Sequence, residues 1–203
     1  NWFLSNAFLP GYWPHSALYV GTPEDLKRLG LDRDSRVQKH WQNFLVRDEK
    51  GHEHVIIEAI SEGVVFTSME HSVGEADAAA FLRPNIPEDR LKEAIARAFS
   101  HVGKPYDFEF DFFSSDKLVC SEVVYRAFDG DIKLPLVDVM GRKTLPPIEI
   151  VRQCEMERTH PPAQFTFVAW LHCDEKRGRA IFRGEDEFYK TTTWSGMDLA
   201  PRK

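Results

Sequence analysis

Two apolar runs separated by a tight turn constrain the fold of this chain more than any other feature. Residues 55–60 read Val-Ile-Ile-Glu-Ala-Ile, residues 64–67 read Val-Val-Phe-Thr, and Ser61-Glu-Gly63 lies between them. Runs of this length and composition, bounded by turn residues, are typical of strands. A third strand is predicted from Trp41 to Val46, before the turn Asp48-Glu-Lys-Gly51. The three strands would form an antiparallel meander.

The remaining patterns place helices and strands in separate parts of the chain. A helix is predicted after Thr22, ending at Gly30, because Thr22 suits an N-cap and Pro23 suits the first helical position. The other predicted elements are a strand at His15–Val20, helices at Pro87–Val102, from Ser114, Ser115 or Asp116 to Phe128, and from Pro146-Pro147 to Cys154, and strands at Gln164–Cys173 and Arg179–Tyr189. This segregation indicates an α+β class. We expect a single domain over residues 1–203, with residues 164–203 as a C-terminal strand extension.

Charge and composition exclude several classes of function. The chain has 203 residues with 26 Lys plus Arg against 32 Asp plus Glu, a net charge of −6, which argues against a nucleic-acid partner. No apolar run reaches the roughly 18 residues of a membrane span. The first residues show no signal-peptide pattern, but the chain opens on Asn, so the sequence leaves open a cytoplasmic protein or a cell-envelope protein that has lost a leader. No nucleotide-binding glycine motif is present, and no cofactor is expected.

Cys120 is the cysteine with the most suggestive setting. It lies near the predicted start of a helix, directly after an aromatic loop at residues 105–113. At a helix N-terminus, unpaired N–H groups and the helix dipole favour a thiolate. The alternative is a small buried hydrophobic residue, since free cysteines are among the most buried residue types. Cys154 and Cys173 lack this setting, and three cysteines are too few for a disulfide framework.

His15 and Glu58 are the candidate partners of the thiol. His15 follows Pro14 at the start of a predicted strand, where a base or a hydrogen-bonded structural histidine would both fit. Glu58 interrupts an apolar strand, so its carboxylate either faces solvent from a half-exposed sheet or has a cationic or N–H partner. A neighbouring histidine would make it the orienting acid of a triad.

Two other histidine pairs carry less weight. His52 and His54 form a His-x-His pattern that can bind zinc, but no third ligand has suitable spacing, so no metal site is predicted. Glu70-His71 are neighbours, and on a strand they would point to opposite faces. They are interpreted as solvated surface residues.

Four segments, in order, resemble one family. Trp13-Pro-His-Ser-Ala-Leu-Tyr-Val-Gly21, Val55-Ile-Ile-Glu-Ala59, Gly103-Lys-Pro-Tyr-Asp107 and Leu118-Val-Cys-Ser-Glu-Val-Val-Tyr125 resemble the YiiX/YebB-like branch of the NlpC-type cysteine hydrolases. These have a circularly permuted papain fold and are related to the lecithin–retinol acyltransferases. In the permuted branch the histidine strand comes first and the cysteine helix last, which is the order of His15, Glu58 and Cys120. The resemblance spans about residues 10–155.

The resemblance implies an antiparallel sheet packed against a cysteine-bearing helix, with a thiol-dependent hydrolase activity of the peptidase or amidase type. It implies Cys120 as nucleophile, His15 as base, Glu58 as orienting residue and Tyr106 as support for the oxyanion, with simple aromatic packing as the alternative for Tyr106. A lipid acyltransferase or thioesterase, or a catalytically silent binding module, remains open. The expected partner is a peptide, amide or lipid acyl substrate, with peripheral membrane contact left open. The oligomeric state is not predicted.

Overall fold

The structure is a computed structural model that describes residues 11–109, 112, 115–139, 141–174 and 178–194. The strands are β1 (Leu18–Tyr19), β2 (His54–Ile60), β3 (Gly63–Ser68), β4 (Ala78–Pro84), β5 (Val137–Val139), β6 (Arg142–Thr144), β7 (Phe165–Asp174) and β8 (Arg179–Arg183). The α-helices are α1 (Pro23–Arg28), α2 (Ser35–Gln38), α3 (Trp41–Phe44), α4 (Met69–Ser72), α5 (Glu88–His101), α6 (Cys120–Ala127), α7 (Pro147–Thr159) and α8 (Glu185–Lys190). The class is α+β.

The chain divides into two compact units. The first consists of Asn1–His15, Glu75–Asn85 and Pro146–Lys203, and the second of Ser16–Gly74 and Ile86–Leu145. The segment predicted as a C-terminal extension therefore groups with two earlier segments of the chain. Among the described residues, no helix is long and apolar enough to cross a membrane.

The second unit is built on an antiparallel sheet with the strand order β1-β2-β3. Leu18 pairs with Ile57, and Ile57 pairs with Phe66 on the other side. Ile57 and Phe66 belong to a buried apolar cluster that includes Phe99 of α5 and Val123 of α6, and Leu18 packs against this cluster. The sheet therefore packs on the helix that begins at Cys120, as the resemblance implies.

Gly63 fixes the contact between the β2–β3 turn and the loop that leads to Tyr106. Its φ is +109°, and a Cβ atom there would lie 2.4 Å from the carbonyl oxygen of Lys104. Val64 N–H donates to that same oxygen at 2.8 Å, and Gly103 N–H donates to Val64 O at 2.8 Å. Only glycine meets both demands, because a side chain would clash with backbone and favour a different φ.

The first unit has its own antiparallel sheet, in the order β4-β7-β8. Its buried aromatic residues include Trp170 of β7 and Phe188 of α8, whose ring centroids lie 6.3 Å apart. Trp13 packs edge-on against Phe188 at 5.7 Å and donates from Nε1 to Thr191 Oγ1 at 2.8 Å. The N-terminal segment is thereby anchored two residues before His15.

The predicted strand at Trp41–Val46 is wrong, because these residues form the single helical turn α3. Phe44 is buried and contacts Phe66 and Phe99, with ring centroids 5.1 and 5.3 Å apart. Leu45 and Val46 are exposed. A strand with one buried face would bury every second residue, whereas here Phe44 is buried and the next two residues are both exposed. A single turn of helix accommodates this pattern. The third strand of the sheet is β1, which is also shorter than the predicted His15–Val20 strand.

The predicted start of the Cys120 helix is also wrong. The helix begins at Cys120 with Val119 as its N-cap, and Ser115 and Asp116 lie in the preceding turn. The chain is still extended at Val119 because Leu118 N–H donates to Pro105 O at 3.1 Å and Leu118 O accepts from Asp107 N–H at 3.2 Å. Ser114, Phe110 and Phe113 lie outside the described residues.

Two C-terminal boundaries differ from prediction. The helix after Pro146 runs on to Thr159 instead of ending at Cys154. The last predicted strand ends at Arg183, and α8 follows Gly184, because consecutive Phe188 and Tyr189 are both buried, which a strand with one buried face does not allow. The helices α1 and α5 lie where predicted, and Thr22 and Asp25 form a capping box at the start of α1.

Candidate active site

Cys120 is the first residue of α6, and it is 1% exposed. The first N–H groups of a helix have no partner within it, and no side chain caps this N-terminus at Val119. Those N–H groups and the positive end of the helix dipole lie at the thiol, where they favour its ionised form. The position is therefore one from which a thiolate can act as a nucleophile, with donors next to it.

Tyr106 lies next to Cys120 in the same unit. Tyr106 and Leu118 form an isolated parallel bridge, which brings the Gly-Lys-Pro-Tyr-Asp segment alongside the residues that precede Cys120. Burial raises the pKa of the Tyr106 phenol well above its usual value, and Cys120 and then Asp107 raise it further. The phenol is thus close enough to the thiol to interact with it electrostatically, and it stays a proton donor at neutral pH.

Glu58 is buried in the middle of β2, with 3% exposure. Its Oε1 accepts a hydrogen bond of 2.5 Å from Thr67 Oγ1, and its Oε2 accepts one of 3.1 Å from Ser72 Oγ. The interpretation of Glu58 as a solvent-facing residue is wrong, and these two hydrogen bonds come from hydroxyl groups instead of the cation or N–H group expected from the sequence. The helix α6 packs against β2, so Glu58 and Cys120 lie on neighbouring elements.

His15 is exposed and lies outside any helix or strand, three residues before β1. It is the last residue of the first unit, and Ser16 begins the second. Cys120, Tyr106 and Glu58 all belong to the second unit. Trp13, anchored on Thr191, restricts the chain that leads into His15.

The two other histidine patterns considered from the sequence have local contacts or face solvent. His52 Nδ1 is 3.1 Å from Asp48 Oδ2, and the ring of His54 stacks on Phe66 with centroids 6.2 Å apart. Glu70 and His71 are exposed, as predicted, but they lie on the helix α4 and not on a strand. In the part of the chain that the structure describes, no group of three or more His, Cys, Asp or Glu side chains could hold a metal ion.

Thr67 and Ser72 were not identified from the sequence. Thr67 ends an apolar run, and Ser72 follows it by five residues, so neither pattern points to a carboxylate partner. Ser72 reaches Glu58 because Ser68 caps the short helix α4 by accepting a hydrogen bond from His71 N–H at 3.2 Å. Only the folded backbone brings these hydroxyls to one acid.

A groove of about 380 Å³ lies at the other end of α4. Its walls include Tyr19, Val55 and Met69 as apolar residues and Arg47, His52 and Glu70 as polar ones. Met69 and Glu70, which line the groove, lie on the same short helix α4 as Ser72, which donates a hydrogen bond to Glu58. It is an open surface on which part of a substrate could rest.

Comparison with protein families gives one match. The family of permuted papain-like amidase enzymes named YaeF/YiiX, the C92 peptidase family, matches residues 2–170. The chain belongs to this family. Comparison with curated proteins and with solved structures gave no match.

Family membership confirms the permuted papain-like fold and places the chain among cysteine hydrolases of the amidase type. The matched range contains all four site residues named from the sequence, and it ends within β7. Residues 171–203 therefore lie beyond the family match. The family describes a class of chemistry, and the roles of individual residues are proposed below.

Proposed function

We propose that this protein is a cysteine amidase in which Cys120 is the nucleophile, His15 the general base and Glu58 the orienting acid. The observation that carries the proposal is the position of Cys120 at the first residue of α6, with the Tyr106 phenol beside it. The order of the three residues along the chain supports it, because this order is the one expected of a permuted papain fold.

In the first half-reaction, Cys120 Sγ attacks the carbonyl carbon of the substrate amide, and His15 accepts the thiol proton. The C–N bond then breaks, His15 returns the proton to the departing amine, and the acyl group remains on sulfur as a thioester. In the second half-reaction His15 takes a proton from water, which attacks the thioester. The C–S bond breaks, the carboxylic acid leaves, and His15 returns the proton to Cys120 Sγ.

The negative charge that develops on the carbonyl oxygen needs donors near Cys120. Backbone N–H groups in the first turn of α6 are suitable, because they form the positive end of the helix dipole at Cys120. Tyr106 is a second donor, since its raised pKa keeps the phenol protonated. Glu58 would act through His15 by holding its ring in one orientation, and its fixed hydrogen bonds to Thr67 and Ser72 support such a role.

A second candidate is transfer or hydrolysis of a lipid acyl group through the same thioester. Phe108 favours it, because the side chain is 64% exposed and its ring lies 5.0 Å from that of Tyr106. Phe112, on the same loop, is buried, and its ring centroid lies 5.6 Å from that of Tyr125. An exposed aromatic ring that contacts Tyr106 suits an apolar acyl group.

The test between an enzyme and a silent binding module on this fold is thiol reactivity. Cys120 and Cys154 are both nearly fully buried, which makes Cys154 an internal control. Burial raises the pKa of Cys154 to about 12, so this thiol is inert at neutral pH. We expect iodoacetamide at pH 7 to alkylate Cys120 at least tenfold faster than Cys154 in peptide maps. Equal rates for the two thiols would contradict an activated nucleophile.

A further inference from the structure

Glu122 is a fully buried carboxyl group that the mechanism above does not use. It is the third residue of α6, two positions after Cys120, and it is 0% exposed. Its Oε1 accepts a hydrogen bond of 2.7 Å from Arg126 Nε and forms an ion pair with Arg126 Nη2 at 2.5 Å. Its Oε2 has no hydrogen-bond partner among the described residues. A buried carboxylate oxygen without a partner is costly, which calls for an explanation.

Arg126 connects Glu122 to the aromatic loop. Its Nη2 also donates to the carbonyl oxygen of Phe112 at 3.3 Å. The loop is held at its other end by the bridge between Tyr106 and Leu118. The Glu122–Arg126 pair therefore helps to hold the loop against the helix that begins at Cys120, together with the ring contact between Phe112 and Tyr125.

The charged groups around Glu122 come from three elements. Arg126 lies on its own helix, Asp107 and Lys104 come from the loop, and His101, at the end of α5, interacts with Arg126 and Lys104. Burial, with a smaller effect from Asp107, raises the pKa of Glu122 to about 7 against the opposing effects of Arg126 and the Val119 amide. The carboxyl group therefore changes its charge near neutral pH.

We propose that Glu122 is a positioning residue for Cys120: through Arg126 it fastens the loop that carries Tyr106 to the nucleophile helix, and its ionisation places a negative charge two residues from the thiol. This inference rests on the proposed role of Cys120. A negative charge in the first turn opposes formation of the thiolate, so proton loss from Glu122 raises the pH needed to ionise Cys120.

The test is the pH profile of Cys120 alkylation by iodoacetamide between pH 5 and 9, read by mass spectrometry. The Glu122→Gln variant keeps an oxygen that can accept from Arg126 but cannot ionise. We expect the wild-type profile to show an inflection near pH 7 besides that of the thiol. In Glu122→Gln that inflection is lost, and alkylation at pH 8 is roughly threefold to tenfold faster than in the wild type. Glu155→Gln, at an exposed position on α7, should reproduce the wild-type profile.

A second variant keeps the proposal open to test if Glu122→Gln does not fold. Arg126→Lys keeps the positive charge but loses the forked contact with Glu122 and Phe112. The inflection assigned to Glu122 should then move to higher pH, and the Asp107 and Leu118 amides should exchange with deuterium faster. A profile that matches the wild type in either folded variant, even with a lower melting temperature, would mean a purely structural role and overturn the proposal. The readout needs no turnover, so failure of the amidase proposal would be seen separately as undiminished hydrolysis by Cys120→Ala.

Discussion

Thr67 Oγ1 donates a hydrogen bond of 2.5 Å to Glu58 Oε1, between two buried side chains on neighbouring strands. Ser72 Oγ donates to the other oxygen of the same carboxyl group at 3.1 Å. Hydroxyl groups thus replace part of the water that an exposed carboxylate would bind, and they fix its orientation. Hydrogen bonds to a charged group contribute about 1.5–3 kcal/mol each, which offsets much of the cost of burial.

Replacement of Glu58 by Gln should lower kcat by roughly 10²-fold or more, because an amide cannot orient and stabilise a histidine cation as a carboxylate does. The hydroxyls of Thr67 and Ser72 can rotate to suit the amide, so we expect the variant to fold. Steady-state hydrolysis and thermal unfolding would be measured together. Glu62→Gln, at the exposed β2–β3 turn, is the matched control and should retain full activity. A kcat for Glu58→Gln equal to that of the control would show that Glu58 does not orient the catalytic base.

Tyr106→Phe tests whether the phenol donates to the developing oxyanion. The ring can still pack against Phe108, so the change removes only the hydroxyl. We expect kcat to fall by roughly 10- to 100-fold with little change in KM, since the interaction is strongest in the transition state. An increase in KM alone would indicate a role in substrate binding, and no change would leave Tyr106 as aromatic packing.

The sequence was sufficient for the order of the key elements but not for their boundaries. The β2–β3 hairpin, the capped helix α1 and the amphipathic helix α5 follow from local patterns that the tertiary structure reinforces. Trp41–Val46 was assigned to a strand because its apolar residues alternate loosely, whereas burial of the single residue Phe44 determines its helical turn.

The surroundings of the candidate site depended on contacts between distant residues. Ser115 and Asp116 are good capping residues, yet the helix starts later because Leu118 is held extended by its backbone hydrogen bonds to the Tyr106 loop. Glu58 could be identified as unusual from its apolar strand, but its partners Thr67 and Ser72 could not. No local pattern marks Glu122, whose partner Arg126 is an ordinary helical neighbour four residues away.

The Phe108→Ala variant tests whether the exposed ring contacts an apolar acyl group of the substrate. We would compare kcat/KM for p-nitrophenyl esters from acetate to decanoate. If the exposed ring contacts the acyl chain, kcat/KM of the wild type should increase with chain length. In the variant, kcat/KM should be roughly tenfold lower on the long esters but little changed on the acetate. Parallel curves for the two proteins would show that Phe108 does not contact the acyl group, and would favour a polar peptide or amide substrate.

His101 makes the fold sensitive to acid. Burial, with smaller effects from Lys104 and Arg126, lowers its pKa from 6.5 to about 4. The folded state therefore holds His101 neutral where the unfolded chain would protonate it. This contribution to stability is complete above pH 6.5 and is lost as the pH falls towards 4, by about 2 kcal/mol given its partial exposure. Urea unfolding should show a flatter pH dependence for His101→Gln, whereas a substitution of the exposed His71 should keep the wild-type slope; identical slopes for all three proteins would contradict the assignment.

The most direct test of the central claim is intact-protein mass spectrometry of the wild type and Cys120→Ala after incubation with a mixed lipid and peptidoglycan-peptide extract, with rapid acid quenching. We predict a mass increment on the wild type alone, labile to hydroxylamine as a thioester is, and mapped to the peptide that contains Cys120. The size of the increment would distinguish a peptidyl from a fatty acyl group. An increment of the same size on Cys120→Ala, or hydrolysis of the same substrates by both proteins at equal rates, would show that Cys120 is not the nucleophile.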